Sequence, residues 1–289
     1  MSEALALAHG AATIVNAMAT KKGAAFGVDL YTKAQVKLTS EAQVIETDIM
    51  SDQKESPVLI QKTVAAVLKC FNMEQEFGAK VRTWSNIPIA KGLKSSSTAA
   101  NAVVLATLRA IGKSLEDLDI VKLGVLAAFE AKVTLTGAFD DACASYFGGL
   151  VVTDNLNCEL IKQEVLREDY VILFQVPPKK AYTINTDTSH ILVFKPQIET
   201  AYNLALKGFP WEALTLNGQC YATAFGFNTK IATDAIAAGA KAAGLCGKGP
   251  TTTAVVSKDY VEQVKAVWQA FEGEVIQASL NHEKAKVLA

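Results

Sequence analysis

Cysteine, histidine and arginine are all sparse in this 289-residue chain, and each scarcity removes a class of protein. The five cysteines (Cys70, Cys143, Cys158, Cys220 and Cys246) are scattered, odd in number and never spaced C-x-x-C. That pattern excludes a disulfide framework and fits reduced thiols. His9, His190 and His282 lie far from one another and from the cysteines, so zinc-ligand spacing is absent. An excess of positive charge is missing too. Lys+Arg number 28 against 29 Asp+Glu, for a net charge of -1, so a partner such as nucleic acid or an acidic membrane is not expected. Nowhere do about 18 apolar residues follow one another, as a spanning helix requires. The uncharged stretch Ala4–Thr20 does not read as a signal peptide, because no cationic residue precedes it and His9, Gly10, Thr13 and Asn16 interrupt it. Internal repeats and low-complexity tracts are also lacking. These exclusions leave a soluble, cytoplasmic protein that works on a small molecule.

What is present is core. Half of the residues are apolar and only 20% are charged, and the length suits two domains. Alternating, β-branched character predicts strands at Ala25–Leu38 and Gln43–Asp48, and further strands at Ala79–Trp84 and Leu150–Thr153. Pro57 opens a helix with an apolar stripe of Val58, Ile60, Val64, Val67 and Leu68. A second helix is predicted from about Ser95 to Ile111, and a third from about Leu115 to Lys132 behind the capping-box spacing Ser114…Asp117. Gly137–Gly149 reads as a glycine-rich passage. Tyr170–Val176, Thr252–Ser257 and Glu274–Ser279 read as strands, with helices near 198–207, 211–225, 229–238 and 259–271. Strands and helices mix without a βαβ rhythm, which points to α+β, with mixed sheets covered by helices. The boundary is placed near Asn155–Asp169, giving domains of about 1–160 and 161–289.

Three segments carry chemistry. In Pro88-Ile-Ala-Lys91-Gly92-Leu93-Lys94-Ser95-Ser96-Ser97-Thr98, a glycine turn and a run of hydroxyls open an apolar helix. Free N–H groups in a helix's first turn and the positive end of its dipole cradle an anion. Gly92 lets the backbone come close, and Lys91 and Lys94 supply charge for a polyphosphate. The loop is not a Walker A sequence, since G-x-x-x-x-G-K-[ST] is absent. In the second segment, Gly137–Gly149, Asp140 and Asp141 stand together among small uncharged residues, where carboxylates are either solvated or part of a site. The third, Gly244-Leu-Cys-Gly247-Lys248-Gly249-Pro250-Thr251-Thr252, is a glycine loop leading into a strand, and alone it can be simply a turn.

In this order and at these separations, the three segments resemble the motifs of the GHMP kinase superfamily. Its phosphate loop reads P-x-x-x-G-L-G-S-S-A-A. Pro88, Gly92, Leu93, Ser95 and Ser96 match that pattern, while Lys94 replaces a glycine and Ser97 an alanine. Within the superfamily the chain is most similar to the archaeal-type shikimate kinases, and the likeness runs along nearly its whole length. It includes Gly10-Ala-Ala-Thr13-Ile-Val-Asn16, Lys22-Gly-Ala-Ala-Phe26-Gly-Val-Asp29, the Lys-Ser-Ser-Ser loop, Thr136-Gly-Ala-Phe-Asp-Asp141 and Trp211–Gly218.

The resemblance implies a two-domain kinase fold with the active site in the cleft between domains, ATP and Mg²⁺ as cofactors, and phosphorylation of shikimate. Another superfamily kinase, acting on homoserine or a mevalonate-like alcohol, and a non-catalytic metabolite binder are the alternatives. By resemblance, Lys91–Ser97, Gly247 and Gly249 hold the nucleotide phosphates, and Ser96 and Glu130 ligate Mg²⁺. Asp141, or else Asp140, faces the acceptor hydroxyl and accepts its proton or orients it. Thr13, Asn16, Asp29 and Thr183, with Asn185 and Thr186, are candidates for the acceptor pocket. No residue is assigned to the acceptor carboxylate.

Overall fold

The computed structural model describes residues 2–178 and 189–289. A long antiparallel pair, β1 (Glu3–Val15) and β2 (Lys22–Thr39), is its spine. At 18 residues, β2 is long enough to pair twice on one side. Its second half takes β4 (Gly78–Ser85), and its first five residues take β5 (Leu150–Asp154). Parallel β3 (Ile45–Ile49) lies beyond β4, and β6 (Glu159–Glu164) lies beyond β5. The two-residue β11 (Lys286–Val287) brings the end of the chain back against β1.

Alternation along β1 and β2 feeds two cores. Ala4, Ala6, Ala8, Ala11 and Ala25 pack beneath four helices: α1 (Val58–Cys70), α2 (Ser95–Ala110), α3 (Asp117–Glu130) and α4 (Phe139–Phe147). Ala12, Ile14, Val15, Ala24, Phe26 and Val28 pack on the other side, against α5 (Lys195–Leu206) and α6 (Pro210–Ala224). Phe26 meets Trp211 edge-on there, with ring centroids 5.5 Å apart. The second sheet is antiparallel, in the order β10 (Glu274–Ser279), β7 (Val171–Val176), β9 (Thr252–Val256), β8 (Ala242–Leu245). Phe174 and Val255 share the core under α5 and α6, whereas Leu173, Ala254 and Val256 face Trp268 and a third core. That core is closed by α7 (Lys230–Ala237) and α8 (Val261–Trp268). Among the described residues, no helix is long and apolar enough to cross a membrane.

Two local expectations are corrected. The glycine-rich passage Gly137–Gly149, for which no helix is predicted, contains one, Phe139–Phe147, buried along almost its whole length. The Ser114…Asp117 box does not form either. The helix starts at Asp117 behind an extended Glu116, and no side chain caps it.

Candidate active site

The glycine–serine segment folds as its composition dictates. Gly92 turns with φ +86°, and a β-carbon there would lie 2.8 Å from the Cys246 carbonyl and 2.9 Å from that of Gly249. Only glycine lets the two loops meet this closely. Lys94 precedes α2 in the left-handed region (φ 64°), a conformation that costs a side-chain-bearing residue roughly 1–2 kcal/mol. Among the described residues no side chain caps α2, so its first amides, at Ser95, Ser96 and Ser97, are left to a ligand. Behind that first turn the helix is buried on nearly every side, and Asn101 Nδ2 donates to the Ala142 carbonyl (2.9 Å), locking α2 to α4.

These elements enclose a cavity of about 490 Å³, a size suited to a small-molecule ligand. One wall is Gly92 and Lys94–Ser97, and another is Thr134–Ala138 with Asp140 and Asp141 from the first turn of α4. Asn16 closes one side and Lys248 of the third glycine loop another. A smaller, more apolar recess opens from it, lined by Ile49, Leu59, Ile60, Ile89 and Val133.

Inside the cavity the Lys94 ammonium sits 3.0 Å from Asp141 Oδ2, with side-chain exposures of 11% and 9%. Burial alone would lower the Lys94 ammonium, but the neighbouring Asp141 carboxylate, with Asp140 behind it, outweighs burial and holds it above its ordinary value. Burial pushes the Asp141 carboxyl up while Lys94 pulls it back. At this separation the pair is held as ammonium and carboxylate, since two desolvated groups in hydrogen-bond contact are far better ionised together than with either charged alone. Among the described residues Asp140 has no cation in contact. It accepts from Asn155 Nδ2 (2.8 Å), and burial plus the neighbouring Asp141 charge raise it to about 7. Asp141 Oδ1 is buried without a hydrogen-bond partner among the described residues. The site therefore offers an ionised carboxylate with one free oxygen, beside a helix start whose first amides carry no side-chain cap among the described residues.

Residues 59–149 match the GHMP kinases N terminal domain. The chain is also 47% identical over 285 residues to a protein of Methanosarcina mazei named shikimate kinase, covering 98% of this chain and 96% of that one. The chain belongs to the GHMP kinases. A shikimate kinase of Pyrococcus abyssi is 42% identical over 274 residues, covering 94% of this chain and 97% of that one. The fold agrees with solved GHMP kinases of remote sequence. One is a homoserine kinase from Cytophaga hutchinsonii, 16% identical with a TM-score of 0.77, covering 100% of this chain and 98% of that one. Another is the mevalonate kinase of Methanococcus jannaschii, also 16% identical with a TM-score of 0.77, covering 97% and 99%.

Around this cavity, several residues singled out by sequence stand elsewhere. Lys91 is turned away from the cavity, its ammonium donating to the carbonyls of Pro177 and Pro178, because it follows a left-handed Ala90 on the far side of the turn. Leu93 is a core residue at 2% exposure. Gly247 and Gly249 shape the third loop without lining the cavity, which Lys248 between them does. Glu130 ends α3 on the surface, paired with Lys62 at 3.8 Å, although Ala128 and Ala131 on either side do line the cavity. Asp29 is exposed, and its carboxylate accepts the Ser279 amide (2.8 Å), so it caps β10 rather than facing the cavity. Thr13 is buried in β1 outside the cavity lining. Asn16 is in place, its backbone held by Asn217 Oδ1 and Tyr221 Oη. Thr183, Asn185 and Thr186 lie outside the described residues.

Sequence reasoning passed over Lys248 and Asn155. Lys248 was visible in its Gly-Lys-Gly-Pro loop. Nothing local marked Asn155, which matters only because β5 delivers it to Asp140.

Proposed function

We propose that this chain transfers the γ-phosphoryl group of ATP to shikimate, giving shikimate 3-phosphate. The observation that carries the reaction is the Lys94–Asp141 pair, buried in the cavity beside the uncapped start of α2. The acceptor is supported by the near full-length likeness to proteins named shikimate kinase. In this reading the working site is the cavity lined by residues of the 1–160 part together with Lys248 of the 161–289 part.

The amides of Ser95–Ser97 and the α2 dipole hold the polyphosphate. The apolar recess beside Ile49, Ile89 and Val133 receives the nucleoside. The acceptor hydroxyl approaches the free Oδ1 of Asp141. Its oxygen forms a bond to the γ-phosphorus as the bond from phosphorus to the β–γ bridging oxygen breaks. The electron pair leaves on ADP, and the hydroxyl proton passes to Asp141. Lys94 orients that carboxylate and keeps it ionised until the proton arrives.

A divalent cation fits this donor set in part. Mg²⁺ prefers one or two protein oxygens together with nucleotide phosphates and water, so a dedicated carboxylate cage is not required. The Ser96 hydroxyl lines the cavity, and Glu130 would have to leave Lys62 to join it. When bound, the ion would neutralise phosphate charge.

The deciding experiment is ADP release from ATP with a panel of hydroxylated acceptors, followed by identification of the product. Turnover of shikimate to its 3-phosphate is expected. A folded protein that releases ADP with none of the acceptors overturns the reading.

A further inference from the structure

Lys248 stands out among the cations of the cavity. Lys94 has Asp141, and Lys132 is exposed to solvent. The Lys248 ammonium is shielded from solvent yet finds no hydrogen-bond acceptor among the described residues, although the side chain lines the cavity. An ammonium carries three donors and no means of satisfying itself, so leaving it buried and unpaired is costly unless an anion arrives.

The loop that carries it is fixed against the phosphate loop. The Thr251 amide donates to the Lys91 carbonyl, and the Gly92 turn abuts the carbonyls of Cys246 and Gly249. A β-carbon at Gly247 would come within 2.5 Å of Lys94 Nζ, so the loop passes directly over the Lys94–Asp141 pair. Burial and the neighbouring Lys94 charge lower the Lys248 ammonium to about 8, a sign of a positive group still lacking its counter-charge.

We infer that Lys248 is a phosphoryl-binding residue that meets the γ-phosphate of the bound nucleotide and follows it during transfer. This rests on the phosphotransfer reading given above. The γ-phosphate is the anion that this reading puts between the α2 start and Asp141, which line the same cavity as Lys248. The acceptor carboxylate is the less favoured occupant. It sits at another position of the acceptor ring, whereas the Lys248 loop passes over Lys94, the partner of the carboxylate that takes the hydroxyl's proton.

The test compares nucleotides rather than activity alone. Dissociation constants for ATP and for ADP are measured by calorimetry on the full chain, for the wild type, Lys248→Met and Lys248→Arg. The expected result is a loss of ATP affinity of about ten- to a hundredfold in Lys248→Met with ADP affinity within about twofold, and substantial recovery in Lys248→Arg. Equal losses for ATP and ADP, or none for either, overturn the proposal. So does a raised KM for the acceptor with ATP binding unchanged, which would move Lys248 to the acceptor carboxylate. Should Lys248→Met fail to fold by thermal melting, Lys248→Gln is read by the same criteria. A wild type that binds no ATP overturns the kinase reading itself, whereas an active wild type with an indifferent Lys248→Met overturns only the role of Lys248.

Discussion

Lys94 and Asp141 meet at 3.0 Å because two helices begin side by side, one just after the lysine and the other just before the aspartate. Each of the two starts contains a left-handed residue, Lys94 at φ 64° and Ala138 at φ 48°. The strain aims both side chains into one cavity, as backbone strain at functional sites often does. Asp141→Asn keeps the shape but loses the charge and the proton acceptor. Turnover is expected to fall by about a hundred- to ten-thousandfold, with ATP affinity nearly unchanged. Single-turnover kinetics and nucleotide titration check this, and Asp140→Asn should cost clearly less. The reverse ranking would assign the proton to Asp140.

Asp140 predicts a pH dependence of stability. Its folded value, about 7, lies above the ordinary 3.8 because it is buried beside the charged Asp141, with Lys94 and Asn155 opposing. Between those values the folded state binds more protons than the unfolded one, so this group makes stability fall as pH rises through the window. Below about pH 4 both states hold the proton and the effect vanishes. Above about pH 7 the cost is fully present, with an upper bound of roughly 4 kcal/mol. Asp140→Asn can still accept from Asn155 while carrying no charge. It should raise Tm at about pH 8 by several degrees and leave Tm at about pH 4 little changed. Calorimetric melts across that range decide it, and a variant whose Tm parallels the wild type at every pH would remove Asp140 as the cause.

The Gly92–Ser97 turn and the helix behind it were legible in the sequence because a glycine, a run of hydroxyls and an apolar helix follow one another locally. The long β1 was not legible. Its inward residues are Ala4, Ala6 and Ala8, which give alternation too weak to see, and beyond His9 it is buried on both faces, so alternation disappears. Gly137–Gly149 hid α4 because glycines at both ends gave it the look of a glycine-rich passage, whereas they only bracket a nine-residue helix. Asp29 and Lys91 looked functional by neighbourhood. The register of β2 and the turn at Ala90 sent them elsewhere, and those are tertiary outcomes.

Ser96 is exposed at the first turn of α2, so the fold should tolerate a change there while a bound phosphate should not. Ser96→Glu places a carboxylate where the helix dipole and amides hold an anion. A loss of ATP affinity of at least about tenfold is expected, with Tm within a few degrees of wild type. Unchanged affinity in the folded variant would move the nucleotide phosphates away from this turn.

The Glu130–Lys62 pair joins half-exposed side chains at 3.8 Å, a contact worth about 0–1 kcal/mol, so the carboxylate can be drawn away by a metal–nucleotide complex. Glu130→Gln should raise the Mg²⁺ concentration for half-maximal turnover several-fold and leave Tm nearly unchanged. Lys62→Met should leave the Mg²⁺ titration alone or improve it slightly. A Glu130→Gln titration that overlays the wild type would make this glutamate a surface residue only.

Substrate choice is the sharpest test of the site as a whole. Shikimate is a ring acid with three hydroxyls, so its kinase must present one to Asp141, bind the other two and neutralise a carboxylate. Polar groups suited to such a task already face the cavity, among them Asn16, Thr134, Thr136 and Ser56. A pocket that hydrogen-bonds particular hydroxyls rejects analogues lacking them strongly, because its own polar groups are then buried unpaired. Removing one bound hydroxyl should lower kcat/KM by about ten-thousandfold where the partner is fully buried, and by less where water can reach it. Homoserine and mevalonate, which lack the ring and its paired hydroxyls, should therefore turn over far more slowly than shikimate. Coupled ADP release with each acceptor gives the ranking, and product identification shows which hydroxyl was taken. Asn16→Ala sharpens the experiment, since Asn16 lines the cavity while its backbone is held by Asn217 and Tyr221. Its loss should raise KM for the acceptor and spare that for ATP. Brisk phosphorylation of homoserine with none of shikimate would leave the kinase chemistry standing and overturn the acceptor.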